Sequence, residues 1–423
     1  MEKNIMSIEK MYAFAKEQYA ALGVDVDAAI AKVENTPVSI HCWQGDDVRG
    51  FENPDGELSG GIQTTGNYPG RARNIDELRA DFDFAAKLIP GKKKLSLHAI
   101  YLDNGGKKVE RNEIDIEHFT SWVQWAKERG LGLDYNPTCF SHPMADDGFT
   151  LSHNDPAVRN YWIEHCIRSR HIAEYFGKEL GQRAMINHWV PDGFKDIPVN
   201  RALSRQYLAD SFDKIFAEQL DDTCIGDAVE SKVFGIGAES CTIGSNEFYV
   251  ACAMKHGKMV TLDTGHFHPT EVVSDKLSAV LTYMKEVMLH VSRPVRWDSD
   301  HVVIIDDELK AIANEIARGG YENRVNIGLD FFDASINRIA CWAIGSRSMQ
   351  KALLWAALEP VAMLQKFEAE GDYTSRLAYL EEIKTYPFAA VWDYYCEKQG
   401  VPTRDSWVSE MKAYEQKILE VRK

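Results

Sequence analysis

Lys258-Met259-Val260-Thr261-Leu262-Asp263-Thr264-Gly265-His266-Phe267-His268 reads as a short β-strand that ends on a carboxylate and carries imidazoles in the loop beyond it. Residues i and i+2 share a face of a strand, so Thr261 and Asp263 point one way while Val260 and Leu262 point the other. The same arrangement recurs on either side. Upstream, Ile225-Gly226-Asp227-Ala228-Val229-Glu230 runs into Ser231-Lys232, with Glu230 and Lys232 on one face. Downstream, Val287-Met288-Leu289-His290-Val291 leads to Trp297-Asp298-Ser299-Asp300, and Val325-Asn326-Ile327-Gly328-Leu329-Asp330 closes the series. One such cluster carries little weight. Four of them, at the spacing of βα units, imply neighbouring strands around one axis and a two-metal site at the C-terminal mouth of a (β/α)₈ barrel.

The rest of the chain supports that fold class. Four earlier strands are expected at Val38–Trp43, Leu95–Tyr101, Leu131–Asn136 and Ala184–Trp189, separated by helical patterns at 73–89, 115–129, 155–180 and 201–220. Eight strands alternating with helices argue for a closed α/β TIM barrel. An open doubly wound sheet usually carries a Gly-rich phosphate turn, and neither GxGxxG nor GxxxxGK[ST] occurs here. Three parts are expected: an N-terminal helical segment (1–36), the catalytic barrel (37–335) and a C-terminal helical extension (336–423) that packs outside the barrel or on a neighbouring subunit. The segment from Gln44 to Gly70 is long, polar and rich in glycine, including Gly56 and Gly66, yet Phe51, Ile62 and Tyr68 give it apolar anchors. Loops of this kind are often functional.

Composition narrows the function. The 423 residues are 45% hydrophobic and 26% charged, as in a globular domain. A formal net charge of −16 disfavours a nucleic-acid partner, which requires clustered Lys and Arg. It suits a small neutral substrate. The eight cysteines form no CxxC pair and read as free, mostly buried thiols. Met1–Met6 leads into a charged amphipathic pattern unlike a signal peptide, and no run approaches the roughly 20 apolar residues of a membrane span. A cytoplasmic location is the expectation.

If the four strands close a barrel, Glu230, Asp263, His290 and Asp330 converge at its mouth. Three carboxylates and one imidazole suit Mn²⁺ or Mg²⁺, with Zn²⁺ or Co²⁺ as alternatives, over a thiolate-loving ion. His266 with the Asp298-x-Asp300 pair forms a second, more open site, and Asp263 is placed to bridge the two. Any one strand-end Asp could instead cap the following helix. That explanation does not cover Asp263, Asp298 and Asp330 together beside His266 and His290. Lys232 is a candidate catalytic cation. Trp43, His98, Asn136, Phe140 and Trp189 end other strands or follow them, and an aromatic wall with few polar groups suits a sugar.

These residues sit within longer matching stretches: His41-Cys42-Trp43-Gln44-Gly45-Asp46-Asp47, Gly50-Phe51-Glu52-Asn53-Pro54, Leu97-His98-Ala99-Ile100-Tyr101, Gly265-His266-Phe267-His268-Pro269-Thr270-Glu271, Arg293 to His301 and Gly328 to Ser335. Over nearly its whole length the chain resembles L-rhamnose isomerase. The resemblance implies a homotetrameric (β/α)₈ barrel with two Mn²⁺ per subunit that interconverts L-rhamnose and L-rhamnulose, the first step of L-rhamnose catabolism. It implies Glu230, Asp263, His290 and Asp330 at one metal, and His266, Asp298 and Asp300 with bridging Asp263 at the other. The parts themselves favour a metal-assisted 1,2-hydride shift, with Lys232 and Asp330 catalytic and Trp43, His98, Phe140 and Trp189 around the sugar. The alternative is an isomerase or epimerase for another aldose on the same two-metal barrel.

Overall fold

A computed structural model describes residues 7–53 and 58–422. Met1–Met6, Pro54 and Gly56 lie outside the described residues. Eight parallel strands close a barrel: β1 Val38–His41, β2 Lys93–His98, β3 Gly132–Asn136, β4 Ala184–Trp189, β5 Ile225–Glu230, β6 Met259–Asp263, β7 Val287–Val291 and β8 Val325–Leu329. Each pairs with the next in sequence, and β1 pairs with both β2 and β8. Nearly every strand residue is buried, because helices cover the outside and side chains fill the inside. Met185, Ala228, Met259 and Met288 form a small apolar cluster inside the barrel.

Strand ends differ from the periodicity reading by a few residues. β1 stops at His41 because Cys42–Gly45 winds into a 3-10 turn, and Trp43 rides on that turn. β2 likewise ends at His98 before a 3-10 turn at Ala99–Tyr101. β8 ends at Leu329, which leaves Asp330 just past the ladder.

The helices follow the caps. α1 (Ile8–Ala20) and α2 (Val26–Asn35) start at Ser7 and Asp25, whose side chains accept from backbone N–H groups. The barrel helices are α3 (Ile75–Ala86), α4 (Thr120–Lys127), α5 (Pro156–Leu180), α6 (Arg201–Ile215), α7 (Asn246–His256), α8 (Val273–Leu281), α9 (Asp307–Gly319) and α10 (Arg338–Ala357). α10 packs against α9 on one side and α3 on the other, so it completes the helical ring. A division at residue 335 would therefore part the eighth strand from its own helix. Beyond it run α11 (Val361–Ala369), α12 (Tyr373–Glu382), α13 (Phe388–Lys398) and α14 (Ser406–Tyr414). α13 lies on α1, where Tyr12 and Tyr394 stack at 3.7 Å. α12 buries none of its residues.

The long segment after β1 is pinned down. Thr65–Gly66 pairs in parallel with Asp333–Ala334. Arg338 makes two 2.8 Å bonds to the Asp47 carboxylate, and the Ser59 backbone N–H donates to Ser141 Oγ at 2.9 Å. All eight cysteines are free, and seven are buried. Among the described residues no helix is long and apolar enough to cross a membrane.

Candidate active site and metal centre

Strand register builds the site. Glu230 ends β5 opposite Thr261 of β6, Asp263 ends β6 opposite His290 of β7, and His290 lies opposite Gly328 of β8. Asp263 and His290 thus stand level, Glu230 reaches them from the level of Thr261 two residues earlier, and Asp330 joins them from the turn after β8. Each of the four brings a ligand atom to within 4.8 Å of the others. His290 Nδ1 lies 3.1 Å from Asp330 Oδ2 and 3.2 Å from Glu230 Oε2. The Trp43 indole N–H donates to Asp330 Oδ1 at 2.9 Å.

A second group brings Asp263, His266 and Asp298 together in the same way, so Asp263 belongs to both. His266 Nε2 lies 3.3 Å from Asp298 Oδ2. Asp300 does not join this tight group. It lines the same cavity, on a residue with a left-handed backbone (φ +44°). None of the strand-end acids serves as a helix cap. The first residue before α8 is Val272, without a side-chain cap, while Asp306 caps α9 and Asn337 caps α10.

The electrostatics call for a cation. Asp263 Oδ2, Asp298 Oδ1 and His266 Nδ1 are buried without a hydrogen-bond partner. Buried polar atoms are normally paired, so unpaired lone pairs converging on one point mark a place for an ion. Burial resists charge on His266, but the Asp263 and Asp298 carboxylates outweigh it and push the imidazole up to about 10. Burial likewise works against a charged His290, yet Glu230 and Asp330 drive it well above its usual range. Burial raises Asp263 and Asp300 far above ordinary carboxylates. A divalent ion meets the same demand for positive charge with oxygen and imidazole ligands. The donor set fits one.

Beside this cluster lies a cavity of about 970 Å³ that opens to solvent. Trp43, His98, Phe140 and Trp189 all line it, with Asn136 among them. Their rings form a chain of edge contacts: Trp43 to His98 at 4.2 Å, His98 to Phe140 at 5.7 Å, and Phe140 to Trp189 at 5.3 Å. Burial lowers His98 to about 3, so it faces the cavity as a neutral imidazole, held through Nδ1 at 3.0 Å from Thr138 Oγ1. Lys232 Nζ sits 5.1 Å over the Trp189 ring and lies within 4.0 Å of no carboxylate oxygen among the described residues. His41 turns away: its Nε2 accepts from the Phe331 backbone N–H at 3.3 Å, and burial keeps it neutral at about 4.

The L-rhamnose isomerase (RhaA) family description matches residues 6–422. The chain belongs to the L-rhamnose isomerase family. The L-rhamnose isomerase of Yersinia pseudotuberculosis serotype IB (strain PB1/+) is 58% identical over 416 residues, covering 98% of this chain and 99% of that protein. The L-rhamnose isomerase of Yersinia pestis (strain Pestoides F) is 57% identical over the same shares. Among solved structures, a D-psicose 3-epimerase with D-tagatose from Clostridium cellulolyticum H10 matches at 14% identity with a TM-score of 0.46, over 76% of this chain and 99% of that one. The fold assignment rests on the closed barrel itself.

Three parts of this family member's cavity escape the strand-end reading. Gly61, Ile62 and Gln63 reach it from the segment after β1, and Phe234, Gly235 and Ile236 from the loop after β5. Their loop positions carry no periodicity to mark them. Trp297, beside Asp298, also lines the wall and is 56% exposed. Beneath the carboxylates, Asn187 donates through Nδ2 to Glu230 Oε2, and its Oδ1 accepts from Thr261 Oγ1 at 2.7 Å. Period-two alternation puts Asn187 on the Trp189 face, a signal that could have singled it out.

Proposed function

We propose that this protein is a divalent-metal aldose–ketose isomerase that interconverts L-rhamnose and L-rhamnulose. The observation that carries the reading is the doubled carboxylate–imidazole cluster sharing Asp263 beside an aromatic-walled cavity. Membership in the L-rhamnose isomerase family supplies the substrate. Glu230, Asp263, His290 and Asp330 would hold one ion, and Asp263, His266 and Asp298 the other, with Asp300 turning in as a further ligand. Hard oxygen-rich donors favour Mn²⁺, with Mg²⁺, Co²⁺ and Zn²⁺ as substitutes.

Isomerisation moves a hydrogen with its electron pair from C2 to C1 and a proton from O2 to O1. Bound cations supply Lewis acidity toward the sugar oxygens. Trp43, Phe140 and Trp189 pack the C–H faces of the sugar and narrow the access of water. His98, fixed by Thr138, offers one neutral ring nitrogen to a hydroxyl. Lys232 donates to the oxygen on which negative charge develops. Asp330, oriented by the Trp43 N–H and by His290, would assist a water in moving the hydroxyl proton. Conversion of L-rhamnose to L-rhamnulose by the purified protein with Mn²⁺, followed by NMR of the sugar carbons, tests the assignment. A product epimerised at a hydroxyl-bearing carbon, or turnover of another aldose with none of L-rhamnose, would overturn it.

Gly265 gives a local test of the second group. A Cβ there would lie 2.3 Å from Asp298 Oδ1 and 3.2 Å from Asp263 Oδ1, so the side chains must move. Gly265→Ala is expected to lower bound metal from two ions per chain toward one and to cut turnover at least about tenfold, in line with the usual cost of misplacing ligands. Metal analysis of the dialysed variant decides; unchanged content would show that Asp298 does not ligate.

A homotetrameric, cytoplasmic enzyme is the companion proposal. The unburied α12, with Tyr373 and Leu377 each 59% exposed one turn apart, supports subunit contacts made by the C-terminal helices. A monomeric mass in solution would contradict it.

A further inference from the structure

The floor beneath the candidate metal centre is a hydrogen-bonded relay across three neighbouring strands. Asn187 of β4, Glu230 of β5 and Thr261 of β6 are each at most 2% exposed. Thr261 Oγ1 donates to Asn187 Oδ1 at 2.7 Å, and Asn187 Nδ2 donates to Glu230 Oε2. The two bonds set the amide in one sense. A flipped amide would turn its oxygen on the Glu230 carboxylate and its N–H₂ on the threonine hydroxyl. With Oε2 engaged, Glu230 Oε1 is left 3.4 Å from His266 Nδ1, on the side of the ligand cluster. Met185 and Met259, two residues below Asn187 and Thr261 on the same strand faces, close the barrel under the relay. In such a buried setting each hydrogen bond is stronger and each unpaired group more costly.

We infer that Asn187, oriented by Thr261, is a positioning residue that sets the affinity of the Glu230–Asp263–His290–Asp330 group for its divalent cation. The inference rests on the two-metal reading above. Asn187 holds a ligating carboxylate in one rotamer before the ion arrives, so binding does not have to order it. Thr261 acts only through Asn187. Outer partners of this kind typically shift metal affinity by 10- to 100-fold.

The test is calorimetric titration of Mn²⁺ into metal-stripped, full-length protein, alongside melting of the metal-free forms. Wild type is expected to bind two ions per chain. Asn187→Leu, close in volume and without polar atoms, should weaken one of the two by about 10- to 100-fold and leave the other unchanged. Thr261→Val should weaken the same ion by several-fold, and Thr261→Ser, which keeps the hydroxyl, should bind as wild type does. The double variant Asn187→Leu/Thr261→Val should bind no worse than Asn187→Leu alone, because the two residues act as one unit. Wild-type affinity in Asn187→Leu would overturn the inference, as would a lower metal-free melting temperature with affinity unchanged. Equal losses in Thr261→Val and Thr261→Ser would point to packing rather than the hydroxyl and would also overturn it. If Asn187→Leu does not fold, the two Thr261 variants still decide. Absence of Mn²⁺ binding by wild type itself would sink the two-metal reading, a result separate from any difference among variants.

Discussion

Lys232→Met is expected to lower kcat by about 10²–10³ while KM changes little, the usual consequence of losing one preorganised donor to a developing oxyanion. Lys232 lies two residues past Glu230, the last residue of β5, and lines the cavity wall. Its Nζ rests over the Trp189 ring at 5.1 Å and, among the described residues, forms no close ion pair, acting on Asp298 and Asp300 from a longer range. A lysine kept as a counter-ion would be drawn onto those carboxylates; this one is held beside them by an aromatic face. Negative charge on the sugar oxygens is larger in the transition state than in the bound aldose, so the interaction favours turnover over binding. Methionine keeps most of the stem's volume and removes only the charge. Steady-state kinetics on L-rhamnose, with a melting curve to verify the fold, reads the outcome. Near-wild-type kcat would leave the polarisation to the metals alone, and loss of activity only through unfolding would make Lys232 structural.

Stripping the divalent ions is expected to abolish turnover, and Mn²⁺ to restore it. Five carboxylates crowd the mouth of the barrel: Glu230, Asp263, Asp298, Asp300 and Asp330 all line or border one cavity. Their repulsion is unfavourable at neutral pH unless positive charge enters. Ions that bind only the folded chain also stabilise it, by about 2.7 kcal/mol at a hundredfold excess over Kd. The chelated protein should therefore melt at a lower temperature, and Mn²⁺ should raise it in a concentration-dependent way. Full activity in protein shown by metal analysis to be ion-free would refute the two-metal chemistry, whatever the melting curves show.

The barrel was legible because its signals are local. Each strand is a run of four to six residues, mostly buried, and several end in or just before a functional side chain, while the helices between them carry caps such as Asn74, Asp155 and Asp306. The ligands Glu230, Asp263 and His290 could be singled out for the same reason: a residue's face on a strand follows from its place in a period of two. The first strand-like run, Val38 to Trp43, carries Trp43 at its end. Only packing showed that the chain turns at Cys42, which swings the indole N–H onto Asp330.

What the sequence alone determined was therefore the eight-strand alternation, the family, and which acidic and imidazole side chains end neighbouring strands. The tertiary structure decided what depends on register and on loops. It set Asn187 beside Glu230, turned His41 onto the backbone of Phe331, left Asp300 outside the tight Asp263–His266–Asp298 group, and brought Gly61–Gln63 and Phe234–Ile236 over the cavity. It also drew α10 into the helical ring, where it packs on α9, α2 and α3 and touches β1. The physical division is plain: alternation along one strand is written in the order of residues, whereas contacts between strands form only when closure of the barrel fixes which residues stand opposite one another.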